Sequence, residues 1–265
     1  LCTEDSVKTV ILCGGLGTRI RDVADDIPKP MIRVGGMPII WHLMKYYASF
    51  GHTEFVLCMG YKGDVIRDFF ISAMSAKSVL TTVDTNTEHV QFAASDEFAN
   101  WSVTLANTGQ DAMTGARIFK VREYLNNEPF MLTYGDGLSD INLNLLLAYH
   151  RSKNPTVTVT GVRPPARFGE LQIGSDGIAT GFNEKPQASA GMISGGFFVC
   201  EPGVFDHMNN HEDLVFEQGP MQSVVREKHL AVYQHDGFWQ CMDTFRDWQL
   251  LNSMIDQEKA PWKVW

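Results

Sequence analysis

The sequence predicts an α/β fold: a Rossmann-like mixed sheet, mainly parallel, with helices on both faces and a small antiparallel C-terminal portion. Three observations predict it. Apolar runs of strand length alternate with stretches of helical spacing through the first half. The runs are apolar at successive positions, as in strands buried on both faces. From about residue 165 the texture changes to short glycine-bounded strands.

Each element follows from its local pattern. Residues 7–13 read as a doubly buried strand. Residues 39–50 have helical spacing, with Ile40, Leu43, Met44 and Tyr47 on one side. A second strand covers 55–59 and a second helix 64–74. Residues 84–108 are rich in Thr, Asn and Asp and carry no clear period. A strand at 130–133 runs into Tyr134-Gly135-Asp136-Gly137. Residues 143–151 read as a helix and 156–162 as a β-branched strand. Then come a hairpin or an antiparallel edge over 169–173 and 177–182, a strand at 195–200, and a mixture that includes a helix at 221–228.

The chain has 265 residues and no repeat or linker, so it reads as one domain spanning 1–265. Its 22 basic and 31 acidic side chains leave a formal charge of -9. Such a field repels nucleic acid and anionic lipid, so any phosphate must be bound by a local pocket. Cys2, Cys13, Cys58, Cys200 and Cys241 are odd in number and form no CxxC, and three of the five lie in apolar runs. They read as buried free thiols in a reducing compartment. No signal peptide or bilayer-length apolar stretch is evident. The expectation is a cytoplasmic enzyme or binding protein without nucleic-acid or membrane partners.

The first strand stops in ILCGGLGTRI. Beyond the carboxyl end of such a strand, Gly14, Gly15 and Gly17 let backbone N–H groups approach an anion, and Arg19 adds a planar, permanently charged donor. The spacing is neither a P-loop nor a dinucleotide fingerprint, and a plain tight turn is the alternative. Lys29 lies between Pro28 and Pro30, which restrict the local backbone. Asp136 follows an apolar strand between two glycines, and Asp243 follows a second apolar stretch. Two such carboxylates can share one Mg²⁺ with phosphate oxygens; a turn or helix-cap role is the alternative for each.

Gly14-Gly15-Leu16-Gly17-Thr18-Arg19 followed by Pro28-Lys29-Pro30-Met31 resembles the signature of the sugar-phosphate nucleotidyltransferases. The resemblance continues through 35–39, 134–137, 182–186 and 195–198, and reaches 237–244 and 260–265. The last two stretches are similar to the branch that uses CTP. The resemblance implies attack by a sugar 1-phosphate, glucose 1-phosphate first, on the α-phosphorus of CTP. The nucleophile is already anionic, so no general base is needed. It further implies a nucleotide-binding part over about 1–165 and a sugar-binding and oligomerisation part over about 166–265.

By the same resemblance the nucleotide lies against Leu12, Gly14, Gly15, Gly17, Thr18, Arg19, Lys29, Thr114, Arg117 and Gly135. Arg19, Lys29 and Lys185 are implied as the catalytic cations, and Asp136 and Asp243 as the Mg²⁺ ligands. Glu184, Lys185, Ser194, Gly195 and Trp239 are implied around the sugar phosphate. A homo-oligomer is implied, a hexamer being one form. Arg117 also reads as a solvated cation at a helix start, and Trp262 and Trp265 as packing residues of a tail that docks, on this chain or a neighbouring subunit. Ala112, Ala116, Ala166, Ser194, Phe216 and Cys241 depart from the family pattern; Ser194 stands where Asn is usual and Cys241 where Pro is usual. The rival readings are a related transferase using UTP, dTTP or GTP, a non-catalytic sugar-nucleotide-binding regulator, and a dinucleotide oxidoreductase, whose glycine spacing does not match.

Overall fold

Val10 and Ile11 are adjacent and both fully buried, yet they belong to different cores. A strand sends successive side chains to opposite faces, so a strand with no polar face must be covered on both. The computed structural model describes residues 6–15, 27–94, 98–163, 170–173, 175, 177–183 and 191–265. In chain order it forms β1 (Lys8–Leu12), β2 (Arg33–Val34), β3 (Met37–Pro38), α1 (Ile39–Ser49), β4 (Glu54–Met59), α2 (Gly63–Ser72), β5 (Val79–Asp84), β6 (Thr87–Gln91), β7 (Ser102–Asn107) and α3 (Thr114–Lys120). Then follow β8 (Phe130–Tyr134), β9 (Gly137–Ser139), α4 (Leu143–Lys153), β10 (Val157–Val162), β11 (Glu170–Ile173) and β12 (Ala179–Asn183). The last elements are β13 (Ile193–Cys200), α5 (Gly219–Arg226), β14 (Leu230–His235), β15 (Trp239–Cys241) and α6 (Phe245–Asp256).

Nine strands make one sheet in the order β14-β10-β13-β8-β1-β4-β7-β6-β5. The pairings β8–β1, β1–β4, β4–β7 and β10–β14 are parallel, and those to β13 and β6 antiparallel. Seven of the nine strands therefore point one way, as a mainly parallel sheet requires, with β13 and β6 reversed. The sheet takes strands from both sides of residue 165. β11 and β12 form a separate two-stranded antiparallel sheet, so of the two alternatives the stretch is a hairpin and not an edge of the large sheet.

Helices cover both faces. α1 and α4 bury Leu43, Met44, Tyr47, Leu143 and Leu146 in the core that holds Ile11 and Leu57. α3 and α5 bury Ile118 and Val224 in the core that holds Val10, Val56 and Leu132. Residues 84–108 resolve into the end of β5, all of β6 and all of β7. β5 is an edge strand exposed along its whole length, so its sequence shows no buried period.

The C-terminal tail docks on α1 of its own chain. Trp262 is fully buried, stacks on Phe238 at 5.5 Å and donates its indole N–H to His42 Nδ1 at 3.4 Å. His42 Nε2 lies 2.7 Å from the Val34 carbonyl, so it donates there, and burial keeps the imidazole neutral by pushing its pKa down. Trp265 meets Trp41 edge to face at 5.7 Å. Replacing Trp262 with alanine is expected to cost about 3–5 kcal/mol of stability, read by chemical denaturation. A loss below about 1 kcal/mol would show that the tail does not stabilise α1.

Candidate active site

The carboxyl ends of β1, β4, β7 and β8 meet at one edge of the sheet, where open α/β folds bind ligands. A cleft of about 560 Å³ opens there, lined by Leu12, Gly14, Gly15, Lys29, Thr114, Arg117, Gly135, Asp136 and Asp243, with Pro30, Asp111 and Tyr134 among its other walls. Its size suits a nucleotide. Nine of the residues assigned to nucleotide and metal from the sequence thus share one cavity. Gly17, Thr18, Arg19, Glu184 and Lys185 lie outside the described residues.

Arg117 forms part of the floor. It is buried, not a solvated cation at a helix start. Its Nη1 donates to the Met59 and Gly109 carbonyls at 3.0 and 2.7 Å and to Thr108 Oγ1 at 2.7 Å. Its Nη2 donates to the Gly14 and Gln110 carbonyls, both at 3.1 Å. The guanidinium thereby ties together the loops after β1 and β7 and the end of β4. Burial lowers its pKa from the ordinary arginine value, with the charge retained. A Cβ on Gly14 would stand 2.2 Å from the guanidinium carbon, and one on Gly60 2.4 Å from Nη1. These two glycines make room for an arginine, whereas Gly15 faces open space. Gly60 is the signal that sequence reading passed over: a glycine directly after β4, matching the one after β1.

The cation and the carboxylates face each other. Lys29 Nζ donates to Asp136 Oδ2 at 2.6 Å and also to Asp243 Oδ1. Burial acts to lower the lysine pKa, and the two carboxylates, Asp136 foremost, outweigh it, so the ammonium titrates above the usual value. The carboxylates are set by backbone. The Met242 N–H donates to the Asp136 carbonyl at 2.9 Å, and Cys241 pairs with Gly137 between β15 and β9. Thr244 caps α6 in a reciprocal box with Asp247, whose Oδ2 also accepts from the Asp243 N–H at 3.0 Å. The Cys241 thiol lies 3.3 Å from Asp243 Oδ2; burial and the two aspartates push its pKa up to about 12. Cys13, Cys58 and Cys200 are buried free thiols, as expected; Cys2 lies outside the described residues.

A third group borders the cleft. Thr114 Oγ1 donates to Glu217 Oε2 at 2.7 Å, Tyr134 donates to Glu217 Oε1, and the Phe216 N–H donates back to Thr114. Glu217 was not singled out from the sequence; the bond from Tyr134, beside Asp136, brings it here. On β13, residues 195–197 bulge opposite Thr160. Trp239 Nε1 donates to the Gly195 carbonyl at 2.7 Å, and Ser194 is exposed beside it. Phe197 adopts φ +44°, an uncommon left-handed conformation for a bulky residue, and its ring lies parallel to that of Tyr47 at 6.0 Å. Ser194, Gly195 and Trp239 are therefore together, and Trp239 shares a strand with Cys241, two residues before Asp243.

The donor set fits a magnesium ion. Two carboxylates already share one cation, the Lys29 ammonium. Among the described residues no group of three or more His, Cys, Asp or Glu side chains is disposed to hold a metal ion, so substrate and water oxygens would complete the shell.

A parallel-centred sheet, a cleft at its carboxyl edge and a lysine facing two carboxylates define a nucleotide-binding α/β protein equipped for phosphate chemistry. The chain belongs to the nucleotidyl transferase family, whose pattern it matches over residues 8–249. It is 43% identical over 259 residues to the probable glucose-1-phosphate cytidylyltransferase of Bacillus subtilis (strain 168), covering 98% of this chain and 100% of that one. It is 40% identical over 261 residues to glucose-1-phosphate cytidylyltransferase of Salmonella typhimurium, covering 98% and 100%. Among solved structures, HddC from Yersinia pseudotuberculosis matches with a TM-score of 0.66 at 22% identity, covering 94% and 99%. The inositol-1-phosphate CTP transferase of T. maritima matches at 0.64 and 16%, covering 98% and 97%. These two share the fold.

Proposed function

We propose that this protein is an enzyme transferring a cytidylyl group from CTP to glucose 1-phosphate, releasing CDP-glucose and pyrophosphate. Full-length identity to two proteins bearing that activity in their names supports the reaction. The observation that carries it in the structure is Lys29 set against Asp136 and Asp243 in the lining of the cleft. An oxygen of the sugar phosphate attacks the α-phosphorus. The bond from that phosphorus to the bridging oxygen breaks, and its electron pair leaves with pyrophosphate. Two polyanions must meet in line, so alignment and positive charge do the catalysis.

Lys29 and Arg19 bind the triphosphate and offset charge on the leaving pyrophosphate. Asp136 and Asp243 are the residues that would hold Mg²⁺, whose chemistry there is to neutralise charge on phosphate oxygens. Gly14, Gly15, Thr114 and Gly135 shape the nucleotide side, Arg117 holds that wall in place, and Gly17 and Thr18 bind the nucleotide with them. Ser194, Gly195 and Trp239 bind the sugar phosphate, and Glu184 and Lys185 take part in the same binding. The enzyme works in the cytoplasm as a homo-oligomer, and its C-terminal part contributes to assembly. The buried free thiols Cys13, Cys58 and Cys200 suit a reducing compartment. Among the described residues no helix is long and apolar enough to cross a membrane.

The test is pyrophosphate release with Mg²⁺, each of the four nucleoside triphosphates and a panel of sugar 1-phosphates. CTP with glucose 1-phosphate is expected to exceed every other pair at least tenfold in kcat/KM. Preference for another nucleotide or sugar would overturn the assignment. Tight CTP binding without turnover on any sugar would make the protein a sugar-nucleotide sensor.

A further inference from the structure

The Lys29 ammonium lies between the two carboxylates, where a divalent ion shared by them would have to sit. It bonds Oδ2 of Asp136 at 2.6 Å and Oδ1 of Asp243, one oxygen from each carboxylate. Its side chain is only 12% exposed. A magnesium ion shared by the same carboxylates would sit about 2.0–2.1 Å from their oxygens, so ammonium and ion exclude each other there.

Neither side of this contact is an accident of a loose side chain. The two aspartates are held by the Met242–Asp136 backbone bond and by the Asp247 carboxylate under Asp243, contacts that do not involve the lysine. Lys29 begins a short helical turn between Pro28 and Pro30, with the Met31 N–H bonded to the Pro28 carbonyl at 2.8 Å. Asp243 is engaged on its other oxygen as well, by the Cys241 thiol. A free divalent ion must therefore break the bond of Lys29 to both carboxylates and strand the ammonium in a half-buried cleft beside a doubly charged ion.

We propose that Lys29 is a resident counter-ion that keeps divalent metal out of the carboxylate pair until a triphosphate arrives. The phosphates supply both things the exchange lacks. They give the ammonium a new anionic partner, and they give the ion oxygens that two carboxylates alone do not provide. Metal and nucleotide then enter together, and each raises the other's affinity by the same factor. The proposal rests on the reading of Asp136 and Asp243 as the metal-holding pair.

Mn²⁺ binding followed by electron paramagnetic resonance tests it without turnover. Wild-type protein is expected to bind Mn²⁺ weakly alone and at least tenfold more tightly with a non-hydrolysable α,β-methylene analogue of CTP. Lys29→Met, which keeps the length and removes the charge, is expected to bind Mn²⁺ alone at least tenfold more tightly than wild type. Lys29→Arg is expected to stay weak. Lys29→Gln replaces the methionine variant if the latter does not fold. Equal Mn²⁺ affinity of wild type and the uncharged variants without nucleotide would overturn the proposal and leave the metal pair standing. Mn²⁺ binding with the analogue that is unaffected by Asp243→Asn would overturn the metal pair and the proposal together.

Discussion

Asp243→Asn is expected to lower kcat about a thousandfold while the protein stays folded. The substitution keeps the size of the side chain and one carbonyl oxygen, and it removes the negative charge. An ion that neutralises charge on a reacting phosphoryl group contributes several kcal/mol to the transition state. Losing about 4 kcal/mol of that corresponds to roughly 10³ in rate. The substitution weakens the contacts of Lys29 and the Cys241 thiol with this side chain, but the other anchors of the site remain. Asp247 still accepts the residue's backbone N–H, Thr244 still caps α6, and Lys29 keeps its bond to Asp136. Pyrophosphate release at saturating CTP and sugar phosphate reads the rate, and a thermal melt checks the fold. A kcat within threefold of wild type would remove Asp243 from the reaction.

Arg117→Ala is expected to cost about 3–5 kcal/mol of stability, because it strands several buried groups at once. The guanidinium serves Met59, Thr108, Gly109, Gly14 and Gln110, five groups in two loops and the end of β4. Without it those acceptors face a void that Gly14 and Gly60 cannot fill, since neither carries a side chain. Arg117→Lys is not expected to rescue, because one ammonium cannot span partners that the planar fork reaches in two directions. For a chain of this size about 3 kcal/mol lowers Tm by roughly 6–12 °C. The same loosening frees the wall of the nucleotide cleft, so KM for CTP is expected to rise with the loss of stability. A Tm within 2 °C of wild type, on the order of 1 kcal/mol or less, would contradict this account.

Much of the fold was legible because its central strands lack polar faces. A run such as 7–13 fits only a strand covered on both sides, and β1 is that strand. The helices at α1, α2 and α4 announce themselves by period, within two residues at each end. The stretch from 84 to 108 was not legible, because the outer hairpin strands β5 and β6 lie at the exposed edge and their order in the sheet is set by pairing rather than by pattern. In the site, Asp136 stood out by its flanking glycines and Lys29 by its prolines. Arg117 did not. Its sequence neighbours allow a solvated cation at a helix start, and only the convergence of three strand ends makes it buried. The docking of Trp262 on His42 was open between this chain and a neighbour until α1 was placed.

The amino-acid sequence by itself determined the mainly parallel α/β class, the family and the candidate side chains for its chemistry. Each of these is written in short runs, where periodicity, a proline or a glycine acts on its immediate neighbours. The tertiary structure alone decided which charge faces which. Lys29 meets carboxylates 107 and 214 positions away, and Arg117 spends its donors on carbonyls up to 103 positions away. Nothing local encodes such distances: parallel strands bring Gly14, Met59, Thr108 and Asp136 to one edge of the sheet, and the antiparallel pair β9–β15 sets Asp243 beside Asp136.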